Sequence, residues 1–109
     1  MELAVPGRLR ADLKIALTNS DRLEMSQIRT LIAALENAEA VEVVTSTEPK
    51  LGLDHDVARR VLDPDDVARI IALERDELLD AVARYRELVL VDELADLEAR
   101  LRIVERYLD

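Results

Sequence analysis

The stretch that decides the fold is residues 63–88, DPDDVARIIALERDELLDAVARYREL. Asp63 is a favourable N-cap because its carboxylate can accept a backbone hydrogen bond, and Pro64 fits the first position of a helix. Asp65 and Asp66 follow, where acidic side chains complement the helix dipole. Apolar residues then recur at helical spacing for about six turns. The stretch therefore predicts a long amphipathic helix over 64–88.

Three other stretches repeat apolar residues with the same period. They predict helices over about 8–18, 23–41 and 92–108, the last with Asp92 as its N-cap. Few glycines and prolines interrupt the chain, and Ala, Leu, Glu and Arg favour helix because they lose little rotamer freedom there. The predicted class is all-α, with a four-helix antiparallel bundle forming a single domain over 1–109.

Two connections separate these helices differently. Residues 42–63 lose the helical period and contain Pro49 and Gly52, which predicts a long irregular connection between helices two and three. Between helices three and four the chain has no Gly or Pro, and a break there is favoured over one continuous helix whose exposed stripe would require a dimer. The four consecutive apolar residues at this turn are a candidate interface for a homodimer: Leu88, Val89, Leu90 and Val91.

The charge of the chain limits its partners. With 24 acidic residues against 15 basic ones, the formal net charge is −9. This field repels phosphate backbones and anionic lipid, so tRNA binding is disfavoured although not excluded. No apolar run is long enough for a membrane span, and the N-terminus has no signal-peptide pattern. A cytoplasmic protein without membrane contact is expected.

Most catalytic chemistries lack their residues here. The absence of Cys excludes a disulfide framework, a thiolate zinc site and a thiol nucleophile. Gly7 and Gly52 stand alone, which excludes a glycine-rich phosphate loop. His55 is interpreted as a solvated loop residue, and the acids near Asp63 as helix-capping groups rather than metal ligands. We therefore predict no catalytic, cofactor or metal site, and no catalytic activity of the chain on its own.

Two sets of polar residues are candidates for contacts. Asn37 lies just off the apolar stripe of helix two, and Arg59 and Arg60 form an adjacent basic pair before helix three. We interpret these three residues as a structural tether for the intervening loop, or as an interaction site. Arg10 and Lys14 share one face of helix one and are the candidate contacts for tRNA.

Several short motifs, taken in order along the chain, resemble the YqeY-like family. These are small helical proteins related to the C-terminal part of the GatB subunit of tRNA-dependent amidotransferase. The likeness covers the first helical domain of the longer family members. Its motifs are Leu9-Arg10-x-x-Leu13, Ile28-Arg29-x-Leu31, Asn37-Ala38-Glu39-Ala40-Val41, Val57-Ala58-Arg59-Arg60-x-Leu62, Asp63-Pro64-x-x-Val67, Tyr85 and Val104-Glu105-Arg106-Tyr107-Leu108.

The resemblance implies a helper rather than an enzyme. In the amidotransferase, a ligase that forms carbon–nitrogen bonds with glutamine as amido donor, this region is a non-catalytic appendage that helps to hold the charged tRNA. Many relatives carry a Gly-containing turn where this chain has Val89-Leu90-Val91. The expected function is thus a non-catalytic interaction module for a protein partner. The alternatives are a tRNA-binding accessory to amidation and a homodimeric structural protein unrelated to translation.

Overall fold

The chain forms four α-helices and no strand in the part that the structure describes. A computed structural model describes residues 4–44 and 61–108. The predicted all-α class is confirmed, and so is the break between the third and fourth helices. No helix in those two ranges combines the length and the apolar character needed to cross a membrane. The helices are α1 (Val5–Thr18), α2 (Arg22–Val44), α3 (Pro64–Glu87) and α4 (Val91–Glu105).

The start of α3 is the best-defined helix end. The Asp63 carboxylate accepts a hydrogen bond from the backbone N–H of Asp66 at 2.8 Å, and the Asp66 carboxylate accepts one from the N–H of Asp63 at 3.2 Å. These reciprocal bonds form a capping box, which satisfies two backbone donors that the helix itself cannot. Pro64 occupies the first turn. The predicted start at Asp63 and Pro64 is confirmed.

Two helices are longer than predicted. α1 begins at Val5 rather than at residue 8, and Pro6 lies in its first turn. The fixed φ of proline suits that position, so Pro6 starts the helix instead of preceding it. α2 extends to Val44 rather than ending at 41, because no Gly or Pro interrupts residues 41–44.

The predicted irregular connection over 42–63 is described only at its two ends. Residues 42–44 belong to α2, so the prediction is wrong there, whereas residues 61–63 are irregular as predicted. The part between 45 and 60 lies outside the described residues.

The last helix differs from its prediction at both ends. α4 begins at Val91, with Leu90 rather than Asp92 at the N-cap, and no side chain caps it. It ends at Glu105 rather than at 108, because the N–H of Tyr107 bonds the carbonyl of Val104 in a tighter turn at 3.0 Å. This turn directs Tyr107 into the core, where its side chain is 4% exposed.

Short turns arrange the helices as two antiparallel hairpins. Residues 19–21 join α1 to α2, and residues 88–90 join α3 to α4. Connections this short force neighbouring helices to run in opposite directions. α2 also contacts both α3 and α4, so it joins the two hairpins into one bundle. The predicted four-helix antiparallel bundle is confirmed.

All four helices contribute to one apolar core. Its buried residues are Leu9, Ile28, Leu31, Leu35, Val67, Ile71, Leu78, Val104 and Tyr107. Gln27 is also buried, at 2% exposure, and its Oε1 lies 3.4 Å from Nη1 of Arg100 on α4. Its Nε2 has no hydrogen-bond partner among the described residues. A polar side chain therefore lies where α2 meets α4.

Candidate interaction surface

The turn between α3 and α4 presents four apolar side chains to solvent. Leu88 is 64% exposed, Val89 75%, Leu90 37% and Val91 68%. We call residues 88–91 the apolar corner. These are the residues predicted as a candidate interface, and the structure places all four on the surface of the bundle.

The backbone of the apolar corner is a Schellman motif. The N–H of Val89 bonds the carbonyl of Arg86 at 3.1 Å, and the N–H of Leu90 bonds the carbonyl of Tyr85 at 3.1 Å. This pattern places the residue after the C-cap in the left-handed region, a position usually filled by Gly. Val89 occupies it with φ of 55°. For a β-branched side chain this is an unusual conformation, which costs about 1–2 kcal/mol.

The turn between α1 and α2 has the same geometry with polar residues. Ser20 has φ of 54°, and the N–H groups of Ser20 and Asp21 bond the carbonyls of Leu17 and Ala16 at 3.2 and 3.0 Å. The Asp21 carboxylate then caps α2 by accepting the N–H of Glu24 at 3.1 Å. The equivalent residue in the second turn is Leu90, which cannot cap. The apolar corner therefore lacks both a residue suited to its positive φ and a side-chain cap.

Exposed charged residues of both signs lie beside the apolar corner in the sequence. Exposed Arg84 and Glu87 precede it on α3, and exposed Asp92 and Glu93 follow it on α4. Tyr85, half-buried, lines a shallow depression of about 330 Å³ together with these two acids. The charges near the corner are therefore mixed on its α3 side and acidic on its α4 side.

Arg10 and Lys14 are both exposed on α1, one turn apart. Arg10 also borders a cavity of about 260 Å³ that is lined by Glu36 and Glu39 of α2. The candidate tRNA contacts therefore share a face, as predicted, and acidic side chains lie beside one of them.

The predicted tether is described only in part. Asn37 lies on the exposed side of α2. Arg59 and Arg60, like His55, lie outside the described residues. The tether therefore stays a prediction.

Tyr107 is the centre of a cluster that the sequence did not predict. Its hydroxyl donates a 2.6 Å hydrogen bond to the Asp12 carboxylate, and the guanidinium groups of Arg8 and Arg106 lie 5.1 and 5.6 Å from its ring centroid. Burial, followed by the hydrogen bond to Asp12, raises the pKa of the Tyr107 phenol well above its ordinary value of 10.0. Arg106 also donates a 2.6 Å hydrogen bond to Glu24. The cluster fastens the end of the chain to α1 and α2.

Beside this cluster, an open groove of about 810 Å³ runs between the first halves of α1 and α3. We call it the arginine groove, because Arg8, Arg69 and Arg75 line it. Its lining residues come from three separate parts of the chain, within 4–8, 62–75 and 107–108, so no local motif indicates it. Arg8 and Asp12 of the cluster lie one turn apart on α1, but nothing in their spacing predicts a contact with Tyr107.

Within residues 4–44 and 61–108, no group of three or more acidic or histidine side chains is placed to hold a metal ion. In comparisons with protein-family models, with curated proteins and with solved structures, nothing matches this chain. Its function is therefore proposed from its own residues and from the motifs described above.

Proposed function

We propose that this chain is a YqeY-like, non-catalytic interaction module that associates with a second copy of itself through the apolar corner. The observation that carries the proposal is Val89, an exposed β-branched residue with φ of 55°. The order of the family motifs supports the choice of a helper module over an enzyme.

The residues of the apolar corner are not those that would stabilise the turn best, and this supports a binding role. A Gly at position 89 would remove the backbone conflict, and an Asp at position 90 would cap α4, as Asp21 caps α2. Residues that break local rules without a compensating contact are typical of functional sites. Exposed apolar side chains gain stability only when a partner covers them.

The charges of both signs beside the apolar corner are compatible with a second copy as that partner. In a two-fold contact, any residue pair across the interface occurs twice with the roles exchanged. If two corners meet across such an axis, Arg84 of each copy can face Asp92 and Glu93 of the other. The apolar residues then cover one another. Four residues form a contact smaller than a standard interface of about 800 Å² per partner, so we expect weak, concentration-dependent association.

Sedimentation velocity over about 1 μM to 1 mM protein, the range in which weak contacts form, tests this proposal. We expect the wild-type sedimentation coefficient to rise with concentration and Leu88→Lys to remove that rise. A lysine at the end of α3 suits the helix dipole, so the fold is expected to be retained.

Leu73→Lys is the matched control, because Leu73 is 59% exposed on α3 and lies outside the apolar corner. It should associate like the wild type. A wild-type protein that stays monomeric throughout, or equal loss of association in both variants, would contradict the proposal.

The second candidate is a tRNA-binding accessory role in amidation. It is supported by the resemblance and by Arg10 and Lys14, which are exposed one turn apart. A gel-shift titration with tRNA at low salt distinguishes it, because phosphate contacts weaken steeply as salt rises. Two double variants are compared. This candidate predicts that binding is lost in Arg10→Gln with Lys14→Gln. It also predicts that binding is kept when Arg22 and Arg29 of α2 are changed to Gln.

A further inference from the structure

The arginine groove lies far from the apolar corner. Along α3 it spans Pro64 to Arg75, which corresponds to about 17 Å, or three helical turns. Leu88 lies about 20 Å further along the helix. The groove is therefore a second surface, and a proposal about it does not depend on self-association.

The floor of the arginine groove is apolar. Small side chains on α3 keep it open, since Ala68 and Ala72 lie one turn apart on the same side of the helix. Burial of these groups by a partner would be favourable. The other apolar residues that line the groove include Val5, Pro6, Leu62, Val67 and Leu108.

Within the described ranges, all the charged residues that line the arginine groove are basic. Arg8 comes from α1, Arg69 and Arg75 come from α3, and no carboxylate lines the groove in the described ranges. This is notable in a chain whose net charge is −9. These guanidinium groups attract anionic groups. The carboxylates of Asp66 and Asp76 beside the groove offset part of the charge of Arg69 and Arg75.

The three arginines keep hydrogen-bond donors available. Arg69 uses Nη2 to bind Asp66 at 2.5 Å, Arg75 uses Nε to bind Asp76 at 3.1 Å, and Arg8 uses Nη2 to bind the carbonyl of Arg106 at 3.1 Å. A guanidinium group carries five N–H donors. Its remaining donors suit the planar, paired oxygens of a carboxylate.

We infer that the arginine groove binds an acidic amphipathic helix of a partner protein. One face of such a helix would cover the apolar floor, and carboxylates beside that face would bind Arg8, Arg69 and Arg75. The length of the groove matches about three turns of the partner, and helices commonly bind to proteins in this way.

The observations favour a peptide over a nucleic acid. An extended apolar floor has no complement in a phosphate backbone, and single strands usually bind through exposed aromatic rings. Tyr107, the only aromatic residue in the groove lining described, is 4% exposed and already contacted by Arg8 and Arg106.

Fluorescence polarisation with a labelled synthetic peptide tests the inference. The peptide has about 14 residues, or four helical turns, with leucines at i, i+3, i+4 and i+7 and glutamates on the flanking positions. We expect saturable binding that weakens with salt. Arg69→Gln combined with Arg75→Gln should weaken it about ten-fold or more, since charge-assisted hydrogen bonds are lost.

Ala68→Glu provides a variant that should keep the fold, because Ala68 is exposed on α3 and glutamate is a good helix former. It places bulk and negative charge on the groove floor and should abolish binding. The matched control is Ala83→Glu, which makes the same change at an exposed position nearer the other end of α3. Circular dichroism verifies that both variants stay helical.

Several results would overturn the inference. One is that the acidic peptide does not bind. Another is that a peptide with lysines in place of the glutamates binds equally well. A third is that Ala68→Glu and Ala83→Glu have equal effects. Tighter binding of single-stranded RNA with the same variant dependence would identify a nucleic-acid site instead. Self-association abolished by Ala68→Glu would identify a second copy as the occupant. Leu88→Lys should leave peptide binding unchanged, which separates this inference from the proposed function.

Discussion

Ser20 and Val89 occupy the same position of the same turn, yet their side chains differ in shape and polarity. Both have positive φ, at 54° and 55°, and both follow the C-cap of a helix. Ser20 belongs to a polar turn, whereas Val89 has apolar neighbours on both sides. The backbone geometry of the two turns is thus equally well formed, and the difference lies in what the second turn presents to solvent.

Tyr107 gives a prediction about stability at high pH. Its phenol keeps its proton to a higher pH in the folded state than in the unfolded state, because burial and Asp12 raise its pKa above the ordinary value of 10.0. Above about pH 10 the unfolded state ionises first, so the free energy of unfolding should fall as pH rises. We expect this fall between about pH 9 and 11 to be smaller in Tyr107→Phe.

Urea denaturation at several pH values measures this difference. Tyr85→Phe is the matched control, because it removes the other phenol and leaves the Tyr107 cluster in place. It should retain the fall in the free energy of unfolding that depends on Tyr107. An identical slope in Tyr107→Phe and the wild type would show that Tyr107 does not titrate as described.

At the scale of the element, the start of α3 depends on the capping box. Asp63→Ala removes the side-chain acceptor for the N–H of Asp66 and should lower the free energy of unfolding by about 1 kcal/mol. Thermal denaturation should show this as a fall in Tm of about 4 °C or more. Asp65→Ala is the control, because Asp65 is exposed in the same turn but outside the capping box. Equal effects of the two substitutions would contradict this role of Asp63.

The ends of the helices show which local sequence signals were sufficient to predict a helix boundary. Asp63 and Pro64 predicted the start of α3 because a side-chain cap and a fixed φ act within a few residues. The end of α4 could not be predicted in the same way. The helical pattern continues to Leu108, but Tyr107 leaves it to bond Asp12, which lies 95 residues earlier in the chain. A tertiary contact, not a local breaker, ends that helix.

At the scale of the whole molecule, the two candidate surfaces differ in how far the sequence could predict them. The apolar corner was predictable because its four residues are consecutive and lie at a turn. The arginine groove was not, because it brings together Arg8, Arg75 and Leu108 from distant parts of the chain. Sequence periodicity indicates which face of a helix is apolar, but it does not tell which helices leave a groove between them.

The bundle holds the two surfaces in different parts of its structure. The arginine groove borders the first half of α3, whereas the apolar corner follows its end. A module with two such surfaces could associate with a second copy and still bind an acidic helix. The variants Leu88→Lys and Ala68→Glu should therefore act independently, as expected for sites that share no residues.

The most direct test of the central claim is the sedimentation velocity of Val89→Gly as a function of concentration. Glycine suits the positive φ, so the variant should keep the fold and gain about 1 kcal/mol in the free energy of unfolding of the monomer. It also removes an apolar side chain that is 75% exposed. We predict that Val89→Gly associates more weakly than the wild type although its monomer is more stable. Association equal to that of the wild type would contradict the claim that the apolar corner is a binding surface.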